Sequence, residues 1–271
     1  MFDRYLQAWK LSVDGDLIVT PGSHLLPVRW QGIPAMLKIA HTSEEQLGGR
    51  LMSWWEGDGA ARVFAHDDTA VLMERATGLG SLMRMALNGQ DDEASLIACV
   101  TVARLHAPRL SPAPQGLLCL EDWFQSLWTA AGREGGVLLD CAAMARTLLA
   151  AQQDIVVLHG DVHHENILDF GPRGWLAIDP KRVMGERGYD YANLICNPDL
   201  PTCNDPVRFN RQVDVIAQAA GLSRPRLLQW VLAHAGLSAA WFLEDGERQR
   251  ADVDLEVARL AQQALAQWAV L

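Results

Sequence analysis

Two short apolar runs, Ile155–Leu158 and Ile167–Phe170, bracket the loop His159-Gly160-Asp161-Val162-His163-His164-Glu165-Asn166, and a third run, Trp175–Ile178, ends directly on Asp179. Apolar runs of this length bounded by polar turns read as strands. Helical periodicity flanks them, in Ser95–His106, Glu121–Ala131 and Val137–Ala151 before and in Arg224–Leu243 and Ala251–Trp268 after. The spacing of Asp161, Asn166 and Asp179, five residues and then thirteen, predicts that two carboxylates and an amide converge from the strand ends.

The chain before residue 75 has a different character. Asp16–Thr20, Leu25–Trp30, Ala35–Ala40, Arg62–His66 and Ala70–Glu74 are apolar or alternating runs split by Gly, Pro or Asp, the pattern of hairpins. One helix interrupts them: Thr42-Ser43-Glu44-Glu45 is a capped start, and Leu47, Leu51 and Trp55 follow on one face. After Thr77-Gly78 helices take over. The expected class is α+β, with a β-rich lobe over residues 1–76, a mainly helical lobe over 77–271 and a hinge near 75–80.

Asp161, Asn166 and Asp179 are the groups that phosphoryl transfer from a nucleoside triphosphate requires. One carboxylate orients the attacking hydroxyl and accepts its proton; a second carboxylate and a neutral oxygen hold Mg²⁺ against the phosphates. Asp161 fits the first role, Asn166 and Asp179 the second. Mg²⁺ prefers hard oxygen donors, which accounts for Asp and Asn rather than Cys or His. A zinc site on His159 and His163 is the competing reading, but it needs a helix and Gly160 interrupts one. Lys38, in the middle of the apolar strand Ala35–Ala40, is costly to bury without a partner.

His159-Gly160-Asp161 through Asn166 resembles the catalytic loop of the aminoglycoside phosphotransferases, a relative of the protein-kinase loop, and Ile178-Asp179-Pro180 stands where protein kinases carry D-F-G. The resemblance is closest to the streptomycin 6-kinase and hydroxyurea phosphotransferase subgroup. It rests on Leu158–Leu168, Gly174–Pro180, Gly185-Glu-Arg, Asp190-Tyr-Ala-Asn, Asn197-Pro-Asp and Leu237–Phe242, and reaches Leu26-Pro-Val-Arg and Pro34–Lys38. It implies a bilobal protein-kinase-like fold, ATP and Mg²⁺ as cofactors, and a cationic acceptor, with the streptomycin 6-hydroxyl the leading candidate and antibiotic inactivation the outcome. By the same resemblance Lys38 grips the nucleotide phosphates and pairs with Glu45, or alternatively Glu44. Ser23 lies in the phosphate loop, and the Glu74 carbonyl and Ala76 amide meet adenine. His159 and Asp190 support the catalytic loop. A di-guanidino acceptor calls for carboxylates and an aromatic face, offered by Asp122, Asp199, Glu244, Asp245 and Trp241, with Glu121, Asp205 and Glu247 as further acids. A kinase of hydroxyurea or an amino sugar, and a nucleotide-binding protein without turnover, are the alternatives. The presence of Lys38, Asp161, Asn166 and Asp179 together argues against the last. The segment from Asp179 to Asp190 is too short for a peptide platform.

Composition bounds the partners. With 23 Lys+Arg against 33 Asp+Glu the net charge is −10, and no basic patch offsets it, so neither nucleic acid nor an anionic membrane is expected. Five scattered cysteines without a C-x-x-C pair read as reduced thiols. With no leader-like start and no membrane-length apolar run, the expected setting is the cytoplasm, as a monomer or weak dimer.

Overall fold

The computed structural model describes residues 1–20, 22–198 and 203–268, without the side chains of 43–47. The chain opens with α1 (Asp3–Ala8), β1 (Leu11–Val13), β2 (Ile18–Val19), β3 (Ser23–Trp30), β4 (Ile33–Ala40), α2 (Ser43–Trp54), β5 (Val63–His66) and β6 (Ala70–Glu74). The strands form one antiparallel sheet in the order β1-β3-β4-β6-β5, with β2 also paired to β3. Alternation drives it: Leu26 and Val28 on β3 and Ala35, Leu37 and Ile39 on β4 point into one small core with Ala70 and Leu72. Tyr5 seals that core from α1, a helix too short to show a periodic stripe in sequence, although Phe2, Leu6 and Trp9 pack beside it. The expected strand Asp16–Thr20 shrinks to Ile18–Val19, and β1 is an unexpected addition along the same edge.

The remaining elements are α3 (Leu82–Leu87), α4 (Asp91–Leu105), β7 (Leu118–Cys119), α5 (Leu120–Trp123), α6 (Gln125–Glu134), α7 (Val137–Ala150), β8 (Ile155–Val157), β9 (Ile167–Asp169), β10 (Trp175–Ala177), β11 (Val183–Glu186), α8 (Gly188–Ile195), α9 (Pro206–Ala220), α10 (Arg224–Glu244) and α11 (Arg248–Trp268). α4 starts earlier than its apolar stripe because Asp91, Asp92 and Glu93 fill its first turn. α10 is buried on nearly every side and is the axis of this half, packed against α6, α7, α8 and α11. α8 is wholly buried, and at eight residues it is too short for a periodic pattern to stand out in the sequence. α9, also unassigned from sequence, carries a legible start in the Asp205 cap followed by Pro206. No helix among the described residues is long and apolar enough to cross a membrane.

The two halves are stitched together around the antiparallel hairpin β9–β10. Ala61 N donates to Ala177 O at 2.9 Å and Ala177 N to Gly59 O at 2.8 Å; Gly78 N donates to Asp169 O at 2.9 Å. Arg173, in the 3₁₀ turn Gly171–Arg173 between β9 and β10, bonds Glu74 at 2.5 Å and Gly57 O at 2.6 Å. A cluster of Met52, Ala61, Val71, Met73, Phe170 and Leu176 fills the join. At Gly48 a Cβ would lie 2.7 Å from Pro180 O, so only a bare backbone lets α2 approach the segment after Asp179 this closely.

Candidate active site

The loop 159–166 is held from below by one carboxylate. Asp190, fully buried at the start of α8, accepts from His159 N and Gly160 N at 2.8 Å each and from His106 Nε2 at 2.8 Å. Burial opposes its charge, but the His106 contact and these N–H donors outweigh that and hold its pKa below the ordinary carboxylate value. His159 is buried as well. It accepts Asp161 N on Nδ1 at 3.2 Å, so its Nε2 carries the proton given to Ile178 O at 2.8 Å. Burial lowers its pKa, keeping the ring neutral and that tautomer fixed. It joins the loop to the strand end that carries Asp179.

Asp161 emerges from this loop with both oxygens engaged. Asn193 Nδ2 lies 3.2 Å from Oδ1, and Asn166 Nδ2 lies 3.3 Å from Oδ2 and 2.9 Å from the Asp161 carbonyl. Asn193 is itself oriented by His234 Nε2, 3.0 Å from its amide oxygen, and by Asn197 Nδ2 at 3.1 Å. Desolvation drives the His234 pKa down to about 4, so this ring stays neutral and donates to the amide oxygen. Since Asn166 spends its NH₂ on Asp161, its oxygen remains the group suited to a hard cation.

Asp179 has φ +59°, a left-handed conformation that a non-glycine residue adopts at some cost. It forms an ion pair with Lys38 of β4, whose side chain is 12% exposed. Both line a cavity of about 400 Å³ between the sheet, α2 and the segment Ile178–Pro180. Leu25, Ala40, Met52, Val71, Met73 and Ile178 give it apolar walls suited to a flat base, and Thr20, Ser23, Lys38, Asn166 and Asp179 give it polar ones. Ser23 opens β3 and closes a tight turn, its N donating to Thr20 Oγ1 at 3.1 Å.

A second cavity of about 290 Å³ opens on the other side of Asp161. His163, Glu165, Asn193, Trp241, Phe242 and Asp254 are among its walls, and Asp161 lies on its surface. A neighbouring recess shares Asp161 and Trp241 and adds Trp123 and Lys181. Trp123 and Trp241 meet edge to face, with ring centroids 5.5 Å apart.

Residues 8–246 match the family model described as aminoglycoside/hydroxyurea antibiotic resistance kinase. The chain belongs to this family. It is 49% identical over 267 residues to a streptomycin 3''-kinase of Klebsiella pneumoniae, covering 96% of this chain and 100% of that one. It is 29% identical to a streptomycin 6-kinase of Streptomyces griseus, covering 90% of this chain and 82% of that one. Among solved structures it superposes on an aminoglycoside phosphotransferase, APH(4)-Ia, in ternary complex with ADP and hygromycin B, with TM-score 0.68, 15% identity, and 96% and 97% of the two chains covered. That likeness establishes the fold, α+β with a β-rich N-terminal part and a helical C-terminal part.

Within this antibiotic-kinase family frame, the residues singled out from the sequence divide clearly. Lys38, Ser23, Asn166 and Asp179 share the first cavity, and Asp161, His159 and Asp190 form one bonded unit. Glu74 ends β6 with its side chain on Arg173, and Ala76 packs beside the cluster at the join. The Glu44 and Glu45 side chains and all of Asp199 lie outside the described residues. Trp241 lines a cavity together with Asp161; the acids expected beside it do not. Glu244 is drawn away to Ser126 Oγ at 2.9 Å, Asp245 is exposed at the end of α10, and Asp122 accepts from Cys119 at the start of α5. Asp205 caps α9, Glu247 pairs with Arg250, and Glu121 accepts from Gln152. Glu165 and Asp254 line the cavity instead. Sequence reasoning misses Asn193 and His234, although a polar residue inside an apolar helix is a signal that a partner waits there; it also misses Asp254, whose largely polar helix gives no such signal.

Proposed function

We propose that this chain is an ATP-dependent streptomycin kinase that phosphorylates the 3''-hydroxyl, with residues 1–76 as nucleotide lobe and 77–271 as catalytic and acceptor lobe. The observation that carries the reaction is the position of Asp161, bonded to Asn166 of the nucleotide cavity and forming part of a second cavity whose walls include Glu165, Asp254, Trp241 and Arg250. The hydroxyl position rests on the full-length 49% identity to a 3''-kinase, which favours 3'' over the 6-hydroxyl expected from sequence. Asp161 orients the acceptor hydroxyl and takes its proton as the oxygen bonds to the γ-phosphorus. The bond from that phosphorus to the β-bridging oxygen breaks, and its electron pair departs on ADP. Lys38 neutralises the nucleotide phosphates. The Asp179 carboxylate and the Asn166 amide oxygen suit Mg²⁺, which when bound would draw charge off the phosphate oxygens.

Mass spectrometry of streptomycin after incubation with Mg-ATP is expected to show one phosphate, and NMR to place it at 3''. A phosphate at the 6-hydroxyl would overturn the assigned position; no adduct would overturn the acceptor. Asp254 lines the acceptor cavity together with Arg250 and has a partner within the chain, and its carboxylate is assigned to the cationic side of the substrate through that wall. Asp254→Asn is expected to raise the streptomycin KM about tenfold, the value of one charged hydrogen bond, with kcat little changed. Initial-rate kinetics check this, and an unchanged KM removes Asp254 from the acceptor site.

A further inference from the structure

The catalytic loop and Asp179 converge on a third charged group. Lys181 Nζ lies 3.8 Å from Asp161 Oδ2 and 3.8 Å from Asp179 Oδ2, with its side chain 20% exposed. Lys38 engages the other oxygen of Asp179, so two ammonium groups bracket that carboxylate, and Lys181 also reaches Asp161. The backbone fixes its place: Lys181 N donates to His159 O at 2.7 Å. Gly160 has φ +81°, and a Cβ there would stand 2.9 Å from the Cβ of Lys181. The glycine beside Asp161 therefore leaves room for the Lys181 stem as well as supplying the turn. Lys181 lines the same recess as Asp161, Trp123 and Trp241, where an acceptor hydroxyl would arrive.

Electrostatics gives this placement a use. Asp161 and Asp179 are both carboxylates, and the terminal phosphate adds further negative charge between them. During transfer, charge spreads over the three outer oxygens of the moving phosphoryl group. A cation already positioned between the two carboxylates offsets their repulsion of that group without reorganising.

We infer that Lys181 is a catalytic residue that donates to an outer oxygen of the γ-phosphoryl group as it passes from nucleotide to acceptor. The inference rests on the reading that Asp161 and Asp179 flank the reacting phosphate. Lys181 neither gains nor loses a proton in the step: the hydroxyl proton goes to Asp161 and the electron pair of the broken bond goes to ADP.

The test compares Lys181→Met and Lys181→Arg with the unaltered chain in streptomycin turnover, thermal melting, and calorimetric titration with ADP and AMP-PNP. Lys181→Met is expected to lower kcat about 10²-fold, as for loss of one preorganised donor, with the streptomycin KM nearly unchanged. AMP-PNP affinity is expected to fall about tenfold while ADP affinity holds, since ADP lacks the phosphate that Lys181 meets. Lys181→Arg is expected to recover part of both losses. Equal weakening of ADP and AMP-PNP, or a kcat within about threefold of the unaltered chain, overturns the inference and leaves Lys181 a structural cation. The nucleotide titrations need no acceptor. A chain that phosphorylates no aminoglycoside therefore defeats the proposed function, while the AMP-PNP to ADP ratio still decides the role of Lys181.

Discussion

Asp161→Ala is expected to reduce kcat about 10²–10⁴-fold, the range for loss of a positioned base, with nucleotide affinity close to that of the unaltered chain. The expectation follows from how the carboxylate is held. Its oxygens are directed by Asn193 and Asn166, and Asn193 is oriented by a buried neutral His234, so the carboxylate is held in one place. The backbone, by contrast, is fixed by Asp190 rather than by the Asp161 side chain, so the loop should keep its shape when that side chain is cut back. Asp161→Asn keeps the outline and removes the base; it should lose nearly as much. Steady-state kinetics with streptomycin decide the matter: a variant retaining a tenth or more of its kcat would remove Asp161 from the proton transfer.

Asp190→Asn is expected to cost about 3 kcal/mol of folding stability and most of the activity together. The carboxylate is fully buried and accepts two backbone N–H groups and His106. Converting one oxygen to NH₂ sets donor against donor and leaves a buried group unpaired, a loss typical of breaking a buried charged pair. Because folding lowers the Asp190 pKa, its stabilisation is present above the ordinary carboxylate pKa and is lost as the pH falls through the depressed value. Urea unfolding at neutral pH should show the full difference between the two chains, and the gap should narrow below about pH 4. Equal midpoints at neutral pH would mean that the loop is held by something other than Asp190.

Asp161 and its neighbours are also where the amino-acid sequence discloses most. Asp161, Asn166 and Asp179 are legible because their chemistry is compressed into one short stretch between recognisable strands. Lys38 is legible because a lysine in an apolar strand calls for a partner; Asp179, far along the chain, is one, while the expected Glu45 and Glu44 side chains lie outside the described residues. The strands of the N-terminal sheet follow from alternation. The acceptor acids are not legible, because an exposed Glu or Asp looks the same in sequence whether it faces a cleft or a serine on the next helix. Glu244 and Asp254 illustrate this: one is consumed by Ser126, the other is buried beside Asp161. α8 escapes for a different reason: it is only eight residues long, and its polar Asp190 and Asn193 are as buried as its apolar neighbours.

The seam between the halves has a mechanical consequence. Ala61 and Gly59 meet Ala177, and Gly78, just past the crossing of the chain, meets Asp169. Arg173 adds bonds to Glu74 and Gly57 O, and Met52, Ala61, Val71, Met73, Phe170 and Leu176 fill the space between. Fastenings spread along a seam act as a row of rivets rather than a single pin, so the hairpin that leads to Asp179 is braced directly against the sheet that carries Lys38.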